Sequence, residues 1–346
     1  MILDEILIDE LDEIGKLIMK DAELELPPKN AKEMHKFWLQ FEKNINSNEM
    51  ASIVLANVLY NFLTKTKIRK RQTNSRIFED IFAGLFGAES TDSNSRKNPL
   101  ITDNLKGYHM CYTDDESQSF SKLLSGNKRE KTDVIINDYK ISLKTLLGKN
   151  YNSEGKIEKT KDKENPELNI GSFNYNVLLC GILSNEILQQ LSDRKKGLGS
   201  GAQLRKNVFD EIKKNKSEQI FLERLKVYFD YVYGEDDIYI ILKSGHNIEF
   251  YFIPAESFVE TILHKYEYDE KNFQKIWYRW ENNNLRFNWK NMVNYMKDIK
   301  KEFYYLNISL SNAINHPKYQ IFIKNIQNEI EKELIVLFNK DRDPTN

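Results

Sequence analysis

Residues Lys131 to Thr145 are KTDVIINDYKISLKT, two apolar-rich runs around a turn signal. Asn137-Asp138 between two apolar-rich runs is a two-residue hairpin signal, because Asn and Asp tolerate the left-handed backbone of such a turn. Fixing the turn fixes the register: Ile136 faces Tyr139, Ile135 faces Lys140, and Asp133 comes opposite Ser142. Neighbours on a strand point to opposite faces. Val134, Ile136, Tyr139, Ile141 and Leu143 therefore form one apolar face. Asp133, Ile135, Lys140, Ser142 and Lys144 form the other. That second face gathers an acid, a hydroxyl and an amine at the end of the hairpin away from the turn. Directly opposed Cβ atoms lie about 5 Å apart and diagonal ones about 7–8 Å, which leaves room for a hydrated cation and a phosphate oxygen.

Asp133 on one strand and Ser142-Leu143-Lys144 on the next resemble the PD-(D/E)xK nuclease core shared by most type II restriction endonucleases. The resemblance implies an α/β (α+β) fold, with a central mixed β-sheet of restriction-endonuclease type flanked by helices. It implies Mg²⁺-dependent hydrolysis of phosphodiester bonds in double-stranded DNA at a short specific sequence, as part of restriction–modification. Asp133 would then bind Mg²⁺ and Lys144 would assist the attacking water. Two positions depart from the family pattern: Thr132 replaces the proline and Ser142 replaces the second acid. A neutral hydroxyl is a poor ligand for a small hard cation that favours anionic oxygen, so another carboxylate is wanted.

Family members often supply a glutamate from a helix upstream, between an arginine and a phenylalanine–glycine pair. Arg76, Glu79, Phe86 and Gly87 follow that pattern closely, which makes Glu79 the expected second metal acid. Phe78, Ile81, Phe82 and Leu85 would bury one face of this helix with Glu79 at its edge, and Ser75 and Gly87 would bound it. Asp80, about 100° further round the helix, is the second choice. The plainer alternatives are an amphipathic hairpin with an exposed lysine, and a solvated surface acid at position 79.

Upstream, apolar residues recur at helical spacing from Ile2 to Ile18, and Pro27 and Pro28 end that unit. Two more helices are expected over 31–44 and 48–63, and the three together suggest a small bundle. Strands are expected near 133–137, 139–145, 238–243 and 247–253. Residues 88–107 read as a polar loop. From about 266 the chain is aromatic and reads as helical again, with Trp277, Trp280 and Trp289. The expected division is a helical region over 1–70, the catalytic domain over 71–265, and a helical, aromatic-rich region over 266–346.

Composition narrows the classes. The 346 residues carry 51 Lys and Arg against 52 Asp and Glu, so bulk charge gives no argument for nucleic acid. Only local clusters of basic residues could favour it. One is KTKIRKRQ, with Lys65, Lys67, Arg69, Lys70 and Arg71; another is Lys128, Arg129 and Lys131, which flank the hairpin. Arg194, Lys195 and Lys196, followed by Gly197, Gly199 and Gly201, would suit a phosphate clamp, or merely a flexible connection. Asn174 and Asn176 alternate with aromatic residues and would suit base-edge reading, or a plain strand with a solvated face. The two cysteines, Cys111 and Cys180, show no pairing pattern, which fits a reducing compartment. The first residues lack the basic leader of a signal peptide and the apolar run of a membrane span, so a cytoplasmic location and no membrane partner are expected. The five histidines form no pair at metal-ligand spacing.

The expected partners are double-stranded DNA and a second copy of the chain, because a palindromic site is commonly read by a two-fold dimer. A cognate methyltransferase is expected only as a functional companion. The rival readings are a repair or junction nuclease of the same core and a catalytically inactive DNA-binding protein.

Overall fold

The structure, a computed structural model, describes residues 2–64, 74–90, 132–147, 167–172, 210–222, 235–244, 246–259, 277–281, 284–314, 316–325 and 328. Four helices open the chain: α1 (Ile2–Asp21), α2 (Ala31–Asn46), α3 (Met50–Thr64) and α4 (Asn74–Leu85). Asn30 caps α2, its side chain accepting from the Glu33 amide at 2.9 Å, and so satisfies one of the orphan donors of a helix start. The helix buries Met34, Phe37, Trp38, Phe41 and Ile45 along one stripe. By contrast α3 is apolar nearly all round: Ile53, Val54, Leu55, Ala56, Val58 and Leu59 are all buried. Gly87, at φ +57°, ends α4; the Ala88 amide reaches back to the Ala83 carbonyl at 2.9 Å, which a left-handed C-terminal residue makes possible. The helix begins at Asn74, so Ser75 lies in its first turn rather than at its cap.

Among the described residues the main sheet has six strands, in the order β1 (Glu89–Ser90), β2 (Val134–Ile136), β3 (Tyr139–Leu147), β5 (Asp237–Ser244), β6 (Asn247–Ile253) and β9 (Tyr304–Ser309). It is mixed, because β3 and β5 run parallel while the other pairs are antiparallel. Central β5 is buried on both faces, with Ile238, Tyr239, Ile240, Ile241 and Leu242 all enclosed, as its unbroken apolar run requires. A second, three-stranded antiparallel sheet runs β4 (Glu167–Ser172), β8 (Asn284–Asn288), β7 (Trp277–Glu281). A short helix α5 (Ala255–Val259) follows β6, and α6 (Trp289–Asp298) follows β8.

One face of the main sheet carries the core. Val134, Ile136, Ile141, Leu143, Tyr239, Ile241, Phe250, Phe252, Leu306 and Ile308 join a single apolar cluster with buried residues of α1 to α4. Trp38 of α2 stacks on Phe250 at 4.5 Å and on Phe82 of α4 at 5.5 Å between ring centroids. Asn57 of α3 donates to the Ala313 carbonyl at 2.6 Å, tying the first helices to the segment after β9.

Two expectations are corrected. The stretch expected to be helical and aromatic from 266 onward contains β7, β8 and β9; Trp277 lies on β7, and β9 forms an edge of the main sheet. The expected loop over 88–107 begins with β1, two residues paired to β2. Among the described residues no helix is long and apolar enough to cross a membrane.

Candidate active site

The hairpin forms as its turn residues dictate. Asn137 sits at φ +54°, and Ile136 pairs with Tyr139, Ile135 with Lys140, and Val134 with Ile141. Continuing that register brings Asp133 alongside Ser142, and the Asp133 amide donates to the Ile141 carbonyl at 2.8 Å. Val134, Ile136, Ile141 and Leu143 are buried in the core beneath α1 to α4. Ser142 and Lys144 therefore face the other side of the sheet.

On that side one oxygen of Asp133 is the hub. Its Oδ2 accepts from the Leu143 amide at 2.7 Å, from Lys144 Nζ at 3.2 Å and from Ser142 Oγ at 3.3 Å. Lys144 Nζ also donates to Ser142 Oγ at 2.7 Å and to the Leu143 carbonyl at 3.1 Å. Ser142 thus links the two charged groups, accepting from one and donating to the other. The ion pair is largely removed from water, with side-chain exposures of 10% for Asp133 and 17% for Lys144. Enclosure of this degree strengthens each charge's field and fixes both side chains.

A further acid, which sequence reasoning missed, lies beside this group. Asp236 immediately precedes β5, the parallel neighbour of β3, and is 4% exposed. Thr132 Oγ1 donates to its Oδ1 at 3.0 Å. Its Oδ2 is buried and has no hydrogen-bond donor among the described residues. Burial pushes the Asp236 carboxyl up to about 7 against the pull of the Thr132 hydrogen bond; the Asp133 charge adds to the rise, while Lys144 and Lys140 oppose it. The available signal was the run GEDDIYIILK, in which an acid pair directly precedes a buried strand.

Glu79 is also buried, at 7% exposure, on α4. That helix packs on β1, β2 and β3 with Phe78, Ile81, Phe82 and Leu85 in the core, so it belongs to the apolar side of the sheet. Lys128, Arg129, Lys131, Asn174, Asn176, Arg194, Lys195 and Lys196 lie outside the described residues, as does the basic run 65–73.

The donor chemistry fits a hard divalent cation. Asp133 supplies anionic oxygen, and an orphaned carboxylate oxygen is buried close by. No three His, Cys, Asp or Glu side chains converge among the described residues. Mg²⁺ needs no such cage, since it is commonly held by one or two carboxylates and keeps several waters. On the apolar side of the sheet, Tyr139 donates to Asp237 and meets Tyr239, while Asp237 accepts from the Ala255 amide at 2.8 Å. Burial holds the Asp237 carboxyl above its ordinary value. No protein-family model matches the sequence, and comparison with curated proteins and with solved structures gives no match.

Proposed function

We propose that the chain is a Mg²⁺-dependent endonuclease of the restriction type, hydrolysing phosphodiester bonds in double-stranded DNA. The observation that carries the reading is the convergence of Asp133, Ser142 and Lys144 on one side of a hairpin, at the end away from its turn. A mixed sheet flanked by helices is compatible with it.

Attack by water on a phosphodiester must overcome the negative charge of the phosphate. When bound, Mg²⁺ supplies charge neutralisation at the phosphate and a water of lowered pKa. Asp133 would hold the metal, its orientation set by the Leu143 amide, which leaves it little freedom to turn away. Lys144 brings an ammonium beside that carboxylate, where it can stabilise charge developing on the phosphate or orient the nucleophile. Ser142 keeps the amine and the carboxylate in register through its two hydrogen bonds. As part of the same proposal, two copies of the chain act together on a palindromic duplex.

Incubation of the purified protein with unmethylated phage DNA tests the reading. Discrete fragments are expected with Mg²⁺ and intact DNA with EDTA. A smear or a preference for branched DNA would point to a repair or junction nuclease instead, and retained binding without cutting in any divalent metal would remove the enzymatic reading.

A further inference from the structure

We propose that Asp236 is the second carboxylate of the metal site, taking over the role that Ser142 cannot fill, and that Thr132 positions it. The inference rests on the nuclease reading and adds to it a ligand from a different strand. Three observations converge. Asp236 is 4% exposed, and its Oδ2 lacks a donor among the described residues. A buried carboxylate oxygen without a partner costs stability, so it persists where something else satisfies it. Its other oxygen is held by Thr132, the residue that directly precedes Asp133. Asp236 also lies close enough to Asp133 and Lys144 to feel both charges.

The sequence departs from the nuclease pattern at two positions, and Asp236 connects them. A proline at position 132 could donate nothing from its side chain; the threonine there donates to Asp236. An acid at position 142 would put a carboxylate beside Asp133 on the hairpin itself; the serine there leaves that charge to be supplied from elsewhere. Parallel pairing sets Ser142 against Ile238, two residues after Asp236, so β5 brings its leading acid to the same side of β3 as Ser142 and Lys144. Asp133 and Asp236 then flank β3 from its two neighbouring strands. Two carboxylates balance the charge of one divalent ion and leave positions for water and a phosphate oxygen.

Calorimetric titration of Mn²⁺, with cleavage assayed in parallel, tests this on the full chain. Asp236→Asn should weaken Mn²⁺ binding by at least tenfold while leaving the melting temperature without metal unchanged or higher, because it removes a buried charge with an unsatisfied oxygen. Asp133→Asn should weaken binding similarly. Thr132→Val should weaken it less, and Thr132→Ser should restore it. A purely structural role for Asp236 would give the opposite pattern, a lower melting temperature without metal and unchanged Mn²⁺ affinity; that result overturns the proposal. So does a result in which Glu79→Gln, and not Asp236→Asn, removes the binding. If the wild-type protein cuts DNA and binds Mn²⁺ while Asp236→Asn does both equally well, this inference fails and the nuclease reading stands. If the wild type does neither, both fall.

Discussion

With Ser142 fully buried, its hydroxyl has no solvent to turn to, and its two partners are both charged. Ser142→Ala removes one acceptor from Lys144 and one donor from Asp133, but leaves their direct contact and the Leu143 amide in place. Loss of hydrogen bonds to buried charged groups costs about 1–3 kcal/mol. The variant should therefore unfold at lower urea and cut DNA more slowly, by roughly tenfold to a hundredfold, without losing activity altogether. Stability and single-turnover rate at wild-type levels would mean that the hydroxyl is not part of the network. At this scale the sequence was legible where the determinants are local. Asn137-Asp138 fixed the turn, the turn fixed the register, and alternation assigned Asp133, Ser142 and Lys144 to one side. Asp236 was not legible because its tether comes from Thr132, 104 residues away, and no local period encodes such a pairing.

Gly15 marks where α1 crosses α4. A Cβ built there would lie 1.8 Å from the Leu85 carbonyl oxygen, a contact with backbone that no rotamer can relieve. Gly15→Ala must push the helices apart near Leu85 and Gly87, the point from which the chain enters β1 beside the hairpin. Overpacking of this kind typically costs about 1–3 kcal/mol and sometimes more. The expected outcome is a lower melting temperature by circular dichroism, with reduced cleavage because α4 supports β2 and β3. An unchanged melting temperature would place α1 elsewhere. The four opening helices were readable from their apolar period, and β5 and β6 from their apolar runs. The strands β7 and β8 were not: WYRWE shows no clean alternation, and Asn284 to Asn288 alternates polar and apolar residues over only five positions beside that aromatic run. In β9, Leu306 and Ile308 do alternate with exposed Tyr305 and Asn307, but six residues after a helix make a weak signal. At two residues, β1 is too short to carry a pattern at all.

Among the described residues, a shared core joins the opening helices to a sheet whose edge strand comes from beyond residue 300. The apolar side of that sheet is anchored by stacked aromatics around Trp38, so the backbone beneath the hairpin has little freedom to shift. The opposite side of the hairpin can then hold Asp133, Ser142 and Lys144 in a fixed arrangement. The Asp133–Lys144 pair is itself enclosed, and deleting one partner outright would leave the other buried and uncompensated, at a cost of about 3–5 kcal/mol. Shape-preserving variants keep the packing but still leave one charge without its partner, so each is checked for folding by circular dichroism alongside the assay. The most direct measurement compares single-turnover cleavage and DNA binding for the wild type, Asp133→Asn and Lys144→Met in Mg²⁺. Both variants should remain folded and bind DNA within a fewfold of the wild type, while cleavage falls at least a thousandfold. Cleavage by either variant at the wild-type rate would rule out a role for Asp133 and Lys144 in the reaction.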